Sequence, residues 1–222
     1  MLLAIDTSTR TIGIALYTGE KVVSELIWES DDFHTVELAP SVARMMEQVS
    51  VTPADLKAIA VATGPGSFTG LRIGLALAKG MALAGRYALI GIPTLDVLVA
   101  AHPPVDLPLI AVLQAGRGRL AIRRYRHTGG QWRPEGDHQV MPATELATQL
   151  QEKTVVCGEL GLKDRQILAR KRARAIIASP AFSLRRPSFL AELAWRRWIA
   201  GDLDDPSSLS PQYLHYGAPT PT

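Results

Sequence analysis

The sequence predicts an α/β protein built as two related halves. Three observations carry this. Short apolar runs of strand character, Leu2–Asp6, Thr11–Tyr17 and Lys21–Trp28, open the chain and give way to alternating helical and strand patterns. The proline-rich segment His102-Pro103-Pro104, with Pro108, then breaks the alternation. Beyond the break a strand pair followed by helix and strand begins again, partly echoing the first half.

The elements follow in order. Leu2–Asp6 is a buried strand, and Thr11–Tyr17 sets Ile12, Ile14 and Leu16 against smaller residues. Thr18-Gly19-Glu20 supplies a turn into Lys21–Trp28, so these three strands form an antiparallel meander. From His34 to Val49, Val36, Leu38, Val42, Met45, Met46 and Val49 recur with helical period, and Asp31 and Asp32 precede them where negative charge suits the helix dipole. Leu56–Thr63 is a β-branched central strand, Phe68–Ala84 a helix stopped by Gly85, and Tyr87–Ile92 another strand before a helix opened by Pro93. The second half reads as strands Leu109–Gln114 and Leu120–Tyr125, a Gly/Trp/Pro loop, helix Thr144–Gln151 and strand Thr154–Cys157. A basic helix around Asp164–Arg170, strand Ala173–Ile177 and helix Ser188–Ala200 complete it. The expected domains are 1–104 and 105–222, with the tail beyond about 205 returning to the first domain and 217–222 frayed.

The bulk composition narrows the classes. At 222 residues and 47% hydrophobic content the chain can bury a substantial core. No charge-free apolar run of about 18 residues is present, so a membrane span is not expected, and the opening residues lack the basic start of a signal peptide. The single cysteine, Cys157, excludes an internal disulfide and fits a reducing cytoplasm; its apolar neighbours Val155 and Val156 make it a core residue. Charge is uneven. Residues 1–105 hold 7 Lys/Arg against 10 Asp/Glu, and residues 106–222 hold 17 against 11. The basic half either faces phosphate or is a solvated arginine-rich surface, and the lack of interleaved aromatics favours the second.

The segment Gly64-Pro65-Gly66-Ser67-Phe68-Thr69-Gly70-Leu71-Arg72-Ile73-Gly74 is the strongest motif. It follows a strand and opens a helix, where backbone N–H groups can hold phosphate. Its spacing nevertheless matches neither the dinucleotide fingerprint, since the third glycine falls one residue late, nor the Gly-Lys-Ser/Thr loop. Gly66, Gly70, Gly74 and Ala78 recur every four residues, and Ala76, Gly80 and Ala84 make a second small-residue row. Helical glycine costs about 1 kcal/mol relative to alanine, so such a row implies close approach of another backbone. That backbone belongs either to a second chain or to this one, and Arg72 and Lys79 on an otherwise apolar helix favour the second chain. The expected partner face is Val42, Met45 and Met46 with Gly70, Leu71, Arg72, Gly74, Leu75, Ala78 and Lys79.

Ile5-Asp6-Thr7-Ser8-Thr9, the Gly64–Gly74 run and Gly91-Ile92-Pro93-Thr94-Leu95 together resemble the TsaB family across the first hundred residues. Pro211-Gln212-Tyr213-Leu214 is similar to the family's ending, with His215 where arginine is common. The resemblance implies the actin-like, sugar-kinase-like ATPase fold in two halves. It implies a non-catalytic subunit that supports the catalytic paralogue TsaD in N6-threonylcarbamoyladenosine modification of the tRNA adenosine next to the anticodon. It further implies a TsaE-like ATPase in the complex, homodimerisation through the first-domain helices, and tRNA contact that is indirect or weak. No cofactor is expected in the chain alone; ATP or ADP and Mg²⁺ are possible only in the complex with the partner subunit.

Two departures argue against catalysis in the chain alone. The catalytic paralogue carries His-x-x-x-His on its first helix, whereas here His34 is followed four residues on by Leu38, and a catalytic metal needs about three protein ligands. Where the family usually has Asp-Ala-Arg, this chain has Gln114-Ala115-Gly116-Arg117, which lacks a Mg²⁺-binding carboxylate. Asp6, with Thr7, stands where a phosphate-site acid would be, or caps local backbone. Neither Ser8 nor Ser67 has a companion histidine and acid in sequence, as a hydrolase triad requires. The competing readings are an actin-like-fold nucleotide phosphatase or kinase acting alone and, more weakly, a zinc glycoprotease.

Overall fold

The computed structural model describes residues 1–30, 34–171 and 173–213, and at residues 34 and 35 only the backbone. The expectations for Asp31 and Asp32, the His34 side chain, Leu214, His215 and the 217–222 tail lie outside the described residues. The chain divides into one unit of Met1–Val97 with Arg185–Gln212, and a second that contains Leu98–Leu184.

In the first unit, β1 (Leu2–Asp6), β2 (Thr11–Tyr17), β3 (Val22–Glu29), β4 (Ala58–Gly64) and β5 (Ala88–Pro93) form one sheet in the order β3-β2-β1-β4-β5. The first three strands are the expected antiparallel meander, and β4 and β5 add in parallel. All five residues of β1 are buried because both faces of the sheet are covered. By strand alternation Leu3 and Ile5 join the core beneath α1 (His34–Gln48) and α2 (Phe68–Gly85). Leu2 and Ala4 take the opposite face, against Leu190, Ala191 and Ala194 of α6 (Pro187–Ile199). Gly85 does not end α2 as expected; Arg86 takes the left-handed conformation, φ 55°. A Cβ at Gly85 would lie 2.1 Å from the Tyr87 ring, so that position is small for lack of room.

This face explains why the domain boundaries differ from 1–104 and 105–222. The return to the first unit begins at Arg185, not near 205, because α6 supplies the apolar layer that closes the second face of the sheet. Asp204 then accepts from the Gly91 N–H at 2.8 Å, and Gln212 N–H donates to the Thr63 carbonyl at 2.7 Å.

α3 (Thr94–Ala100) leads into the second unit, whose sheet contains β6 (Leu109–Gln114), β7 (Leu120–Thr128), β8 (Gln131–Met141), β9 (Thr154–Gly158) and β10 (Ala175–Ile177). The order β10-β9-β6-β7-β8 repeats the first sheet's plan: a meander followed by two parallel strands. Leu146, Leu150 and Leu168, from α4 (Ala143–Gln149), its C-cap and α5 (Leu162–Ala169), pack with Ile110, Val112, Ile122 and Val156. The expected Gly/Trp/Pro loop is largely β8. It is an edge strand, where Pro134 loses no needed hydrogen bond, and Gly136 sits at φ 75° where the register with β7 shifts. Its mostly exposed residues give no apolar alternation to read.

Candidate functional site

Two places in the first unit concern the expected site residues. At the first, β1 ends in a polar knot. Asp6 is buried, and its Oδ1 accepts from the Ser8 N–H at 2.9 Å and from the Ser8 hydroxyl. Its Oδ2 accepts from Arg185 Nε at 3.0 Å, in an ion pair whose side chains are each 2% exposed. The same guanidinium donates to Thr9 Oγ1 and, at 3.2 Å, to the Thr11 carbonyl. The Thr7 hydroxyl donates to the Gly70 carbonyl at 2.7 Å.

The glycine run closes over this knot. Ser67 N–H donates to the Ser8 carbonyl at 2.6 Å, and Ser67 Oγ caps α2 by accepting from Gly70 N–H at 3.2 Å. A Cβ at Gly66 would meet the Ser8 carbonyl oxygen at 2.2 Å, one at Gly70 the Thr7 carbonyl oxygen at 2.2 Å, and one at Gly74 the Thr7 Oγ1 at 2.2 Å. The close approach inferred from this row is therefore made by the chain's own Thr7 and Ser8. Two amides of the loop are already committed to the chain's own oxygens, in keeping with the mismatch to the known phosphate loops.

The fold class implies a nucleotide with Mg²⁺, and these residues do not fit one. Both carboxylate oxygens of Asp6 are engaged, and a divalent cation there would sit against the Arg185 guanidinium. On the second unit, the Gln114 amide that replaces an acid donates to Asp164 Oδ2 at 3.0 Å and to the Glu159 carbonyl at 3.2 Å. Ser8 and Ser67 are held by Asp6 and the α2 N-terminus rather than by a histidine. No group of three His, Cys, Asp or Glu side chains that could hold a metal occurs among the described residues. Cys157 is buried on β9, where loss of water pushes its thiol pKa up to about 12, and it is no nucleophile.

The second place is the outer face of α1 and α2. Most of the expected partner residues are not on it. Met45, Gly70, Leu71, Gly74, Leu75 and Ala78 are buried in the unit's own interior. Val42 and Met46 are nearly buried but reach the floor of a groove of about 420 Å³. Ala39, Ala43, Glu47, Leu77 and Met81 form the rest of its helical walls, and Val51, Thr52 and Pro53 complete the lining. Arg72 is exposed, stacked 3.7 Å over the Phe68 ring, and Lys79 is half-buried. The row that does face outward is Arg72, Ala76, Gly80 and Ala84, all exposed; a Cβ at Gly80 would meet nothing within 4 Å. Val36, Phe68 and Leu83 add apolar area, 66%, 55% and 69% exposed. The signal that could have found this row is Arg72 itself. It shares the four-residue spacing of Ala76, Gly80 and Ala84, whereas the Gly66 row is tied by the loop to the end of β1.

Comparison with known proteins agrees with the motifs. Residues 22–177 match the family model described as "TsaD: tRNA N6-adenosine threonylcarbamoyltransferase". The chain is 30% identical over 217 residues to the tRNA threonylcarbamoyladenosine biosynthesis protein TsaB of Bacillus subtilis, covering 96% of this chain and 93% of that one. YeaZ from Pseudomonas aeruginosa superposes with a TM-score of 0.80 at 24% identity, over 96% of this chain and 99% of that one. The ROK hexokinase of Thermus thermophilus, at TM-score 0.51 and 10% identity over 88% and 99% of the two chains, is alike in fold alone. The expected two-halved actin-like, sugar-kinase-like architecture is the one observed. By motif, sequence identity and fold, this chain belongs to the TsaB family.

Proposed function

We propose that the chain is a non-catalytic subunit of the assembly that makes threonylcarbamoyladenosine in tRNA, and that the α1/α2 face seats a TsaD-like catalytic paralogue. The observation that carries this is an open, largely apolar groove on the helix pair whose α2 also carries an exposed row of small residues. Ala39 and Ala43 in the groove, and Ala76 and Gly80 on the exposed row of α2, let partner helices come close, while Leu77 and Met81 offer apolar area to bury. Large exposed apolar faces mark interaction sites. Without the paralogue, a second copy of the chain would cover the same face. The polar knot at Asp6 supports the non-catalytic role, because Arg185 engages the acid that a phosphate site would need.

A TsaE-like ATPase completes the assembly on this reading, nucleotide and Mg²⁺ act only with the partner subunit, and tRNA is the common substrate. We place the assembly in the cytoplasm; no helix among the described residues is long and apolar enough to cross a membrane. Reconstitution tests the role. The expected outcome is threonylcarbamoyl transfer to tRNA by the paralogue and its ATPase only when this chain is added, with no ATP turnover by the chain alone. ATP hydrolysis by the purified chain, abolished by Asp6→Ala, would overturn it.

A further inference from the structure

From Arg165 to Ala191 the chain carries seven Lys/Arg and no acid, and four of the seven fall within residues 170–174. The fold adds Lys153 to Arg170, Lys171 and Arg174. β9 and β10 run parallel with Thr154 opposite Ala175, and Thr154 N–H donates to the Arg174 carbonyl at 2.8 Å. The connections entering these strands therefore lie side by side at one end of the sheet, which brings Lys153 next to Arg174.

Backbone bonds hold Lys171 and Arg174 in place. Lys171 N–H donates to the Leu168 carbonyl at 2.9 Å, and Arg174 N–H to the Lys171 carbonyl at 2.7 Å. The Arg174 guanidinium donates at 3.1 Å to the Leu150 carbonyl, binding the two connections together. Lys153, Arg170, Lys171 and Arg174 are all exposed. The adjacent acids are committed elsewhere: Glu152 to Arg126 at 2.9 Å, Asp164 to Gln114 at 3.0 Å. Lys153, Arg170 and Lys171 have no ion pair among the described residues.

A merely solvated surface interleaves both signs, whereas a block of one sign on a fixed turn repels itself until a polyanion covers it. We propose that this edge of the second unit docks the sugar-phosphate backbone of the tRNA, a proposal that rests on the reading of the chain as a subunit of a tRNA-modifying assembly. Residues 150–178 contain no aromatic side chain on which bases could stack. The contact is therefore to phosphate; it positions the RNA and carries no sequence preference.

The test titrates an unmodified tRNA transcript with the full chain, alone and with the catalytic paralogue, between 0.05 and 0.2 M salt. Lys153→Glu, Arg170→Glu and Lys171→Glu are combined; Arg174 is left to hold its turn. Binding at 0.1 M salt is expected to weaken by at least about tenfold, and the salt dependence to become shallower by about 2–3 in log–log slope, since about one counterion is released per phosphate contact. The three alanine substitutions should give a smaller loss in the same direction, a grading that misfolding would not produce. Lys21→Glu, Lys57→Glu and Arg196→Glu together, an equal charge change on the first unit away from α1 and α2, should leave the slope in place. Equal loss from that control, unchanged binding by the first triple variant, no tRNA binding by wild type in either form, or equal binding to phosphatidylserine vesicles would each overturn the proposal. Retention of the paralogue by the triple variant shows that assembly is intact; if wild-type chain does not retain the paralogue, it is the subunit reading that fails.

Discussion

Replacing Gly70 by alanine should destabilise the chain, although alanine is the better helix former. The added Cβ would lie 2.2 Å from the Thr7 carbonyl oxygen, a backbone atom at the end of a fully buried strand, so β1 or α2 must shift. Overpacking of this kind costs about 1–3 kcal/mol. The shift also strains the Thr7 hydroxyl bond to the Gly70 carbonyl, which contributes about 1 kcal/mol. Helix propensity returns at most about 1 kcal/mol. The net is a loss of about 1–3 kcal/mol, and at about 2–4 °C per kcal/mol for a chain of this size, a fall in Tm of several degrees. Gly80→Ala is the matched control on the same helix: its Cβ meets nothing within 4 Å, and propensity should raise stability by up to about 1 kcal/mol. Thermal unfolding of both variants at a concentration where the chain is monomeric decides the matter. A Gly70→Ala protein as stable as wild type would refute the view that this row packs on the chain's own β1 end.

Two further outcomes follow from the ion pairs. Arg185→Met leaves Asp6 buried without its countercharge and should cost about 3–5 kcal/mol in urea unfolding; adding Asp6→Asn should recover part of that, and a single variant within about 1 kcal/mol of wild type would contradict the assignment. Glu25 gives a pH dependence. Burial alone would raise its pKa, but hydrogen bonds from Arg186 and Ser188 outweigh this and hold it below the usual carboxylate value. A depressed folded-state pKa means that its contribution is present above the unfolded value near 4.5 and lost as pH falls through the folded pKa. Glu25→Gln should therefore flatten the acid limb of the stability curve and lower stability at pH 7. An acid limb identical to that of wild type would contradict this.

Strands buried on both faces were legible because their apolar runs are continuous and of strand length, as in Leu2–Asp6 and Leu109–Gln114. β8 was not, since an edge strand with Pro134 and Gly136 has neither alternation nor β propensity, and only pairing with β7 makes it a strand. The discontinuous first unit was also hidden. Nothing local to Pro187–Ile199 says which sheet its Leu190, Ala191 and Ala194 will cover. Of the site, the small-residue rows were visible but not their directions. Spacing gives each row its period, whereas its direction is set by the Thr7 and Ser8 oxygens that Gly66, Gly70 and Gly74 must clear. Asp6 was legible as a residue of interest, but its partner Arg185 lies 179 positions away and no pattern links them.

The central claim is that the outward row of α2 and the groove beside it seat the partner subunit. The most direct measurement is the stoichiometry and affinity with which tagged chain retains the catalytic paralogue, for wild type, Gly80→Arg and Lys21→Glu. Arginine at Gly80 projects into open space in the free chain, so the variant should fold with an unchanged melting profile. On the paralogue it should lose at least about tenfold in affinity, since a contact worth about 1.4 kcal/mol corresponds to a factor of ten. Lys21→Glu, away from this face, should bind as wild type does. Retention of the paralogue by Gly80→Arg at wild-type affinity would contradict the account.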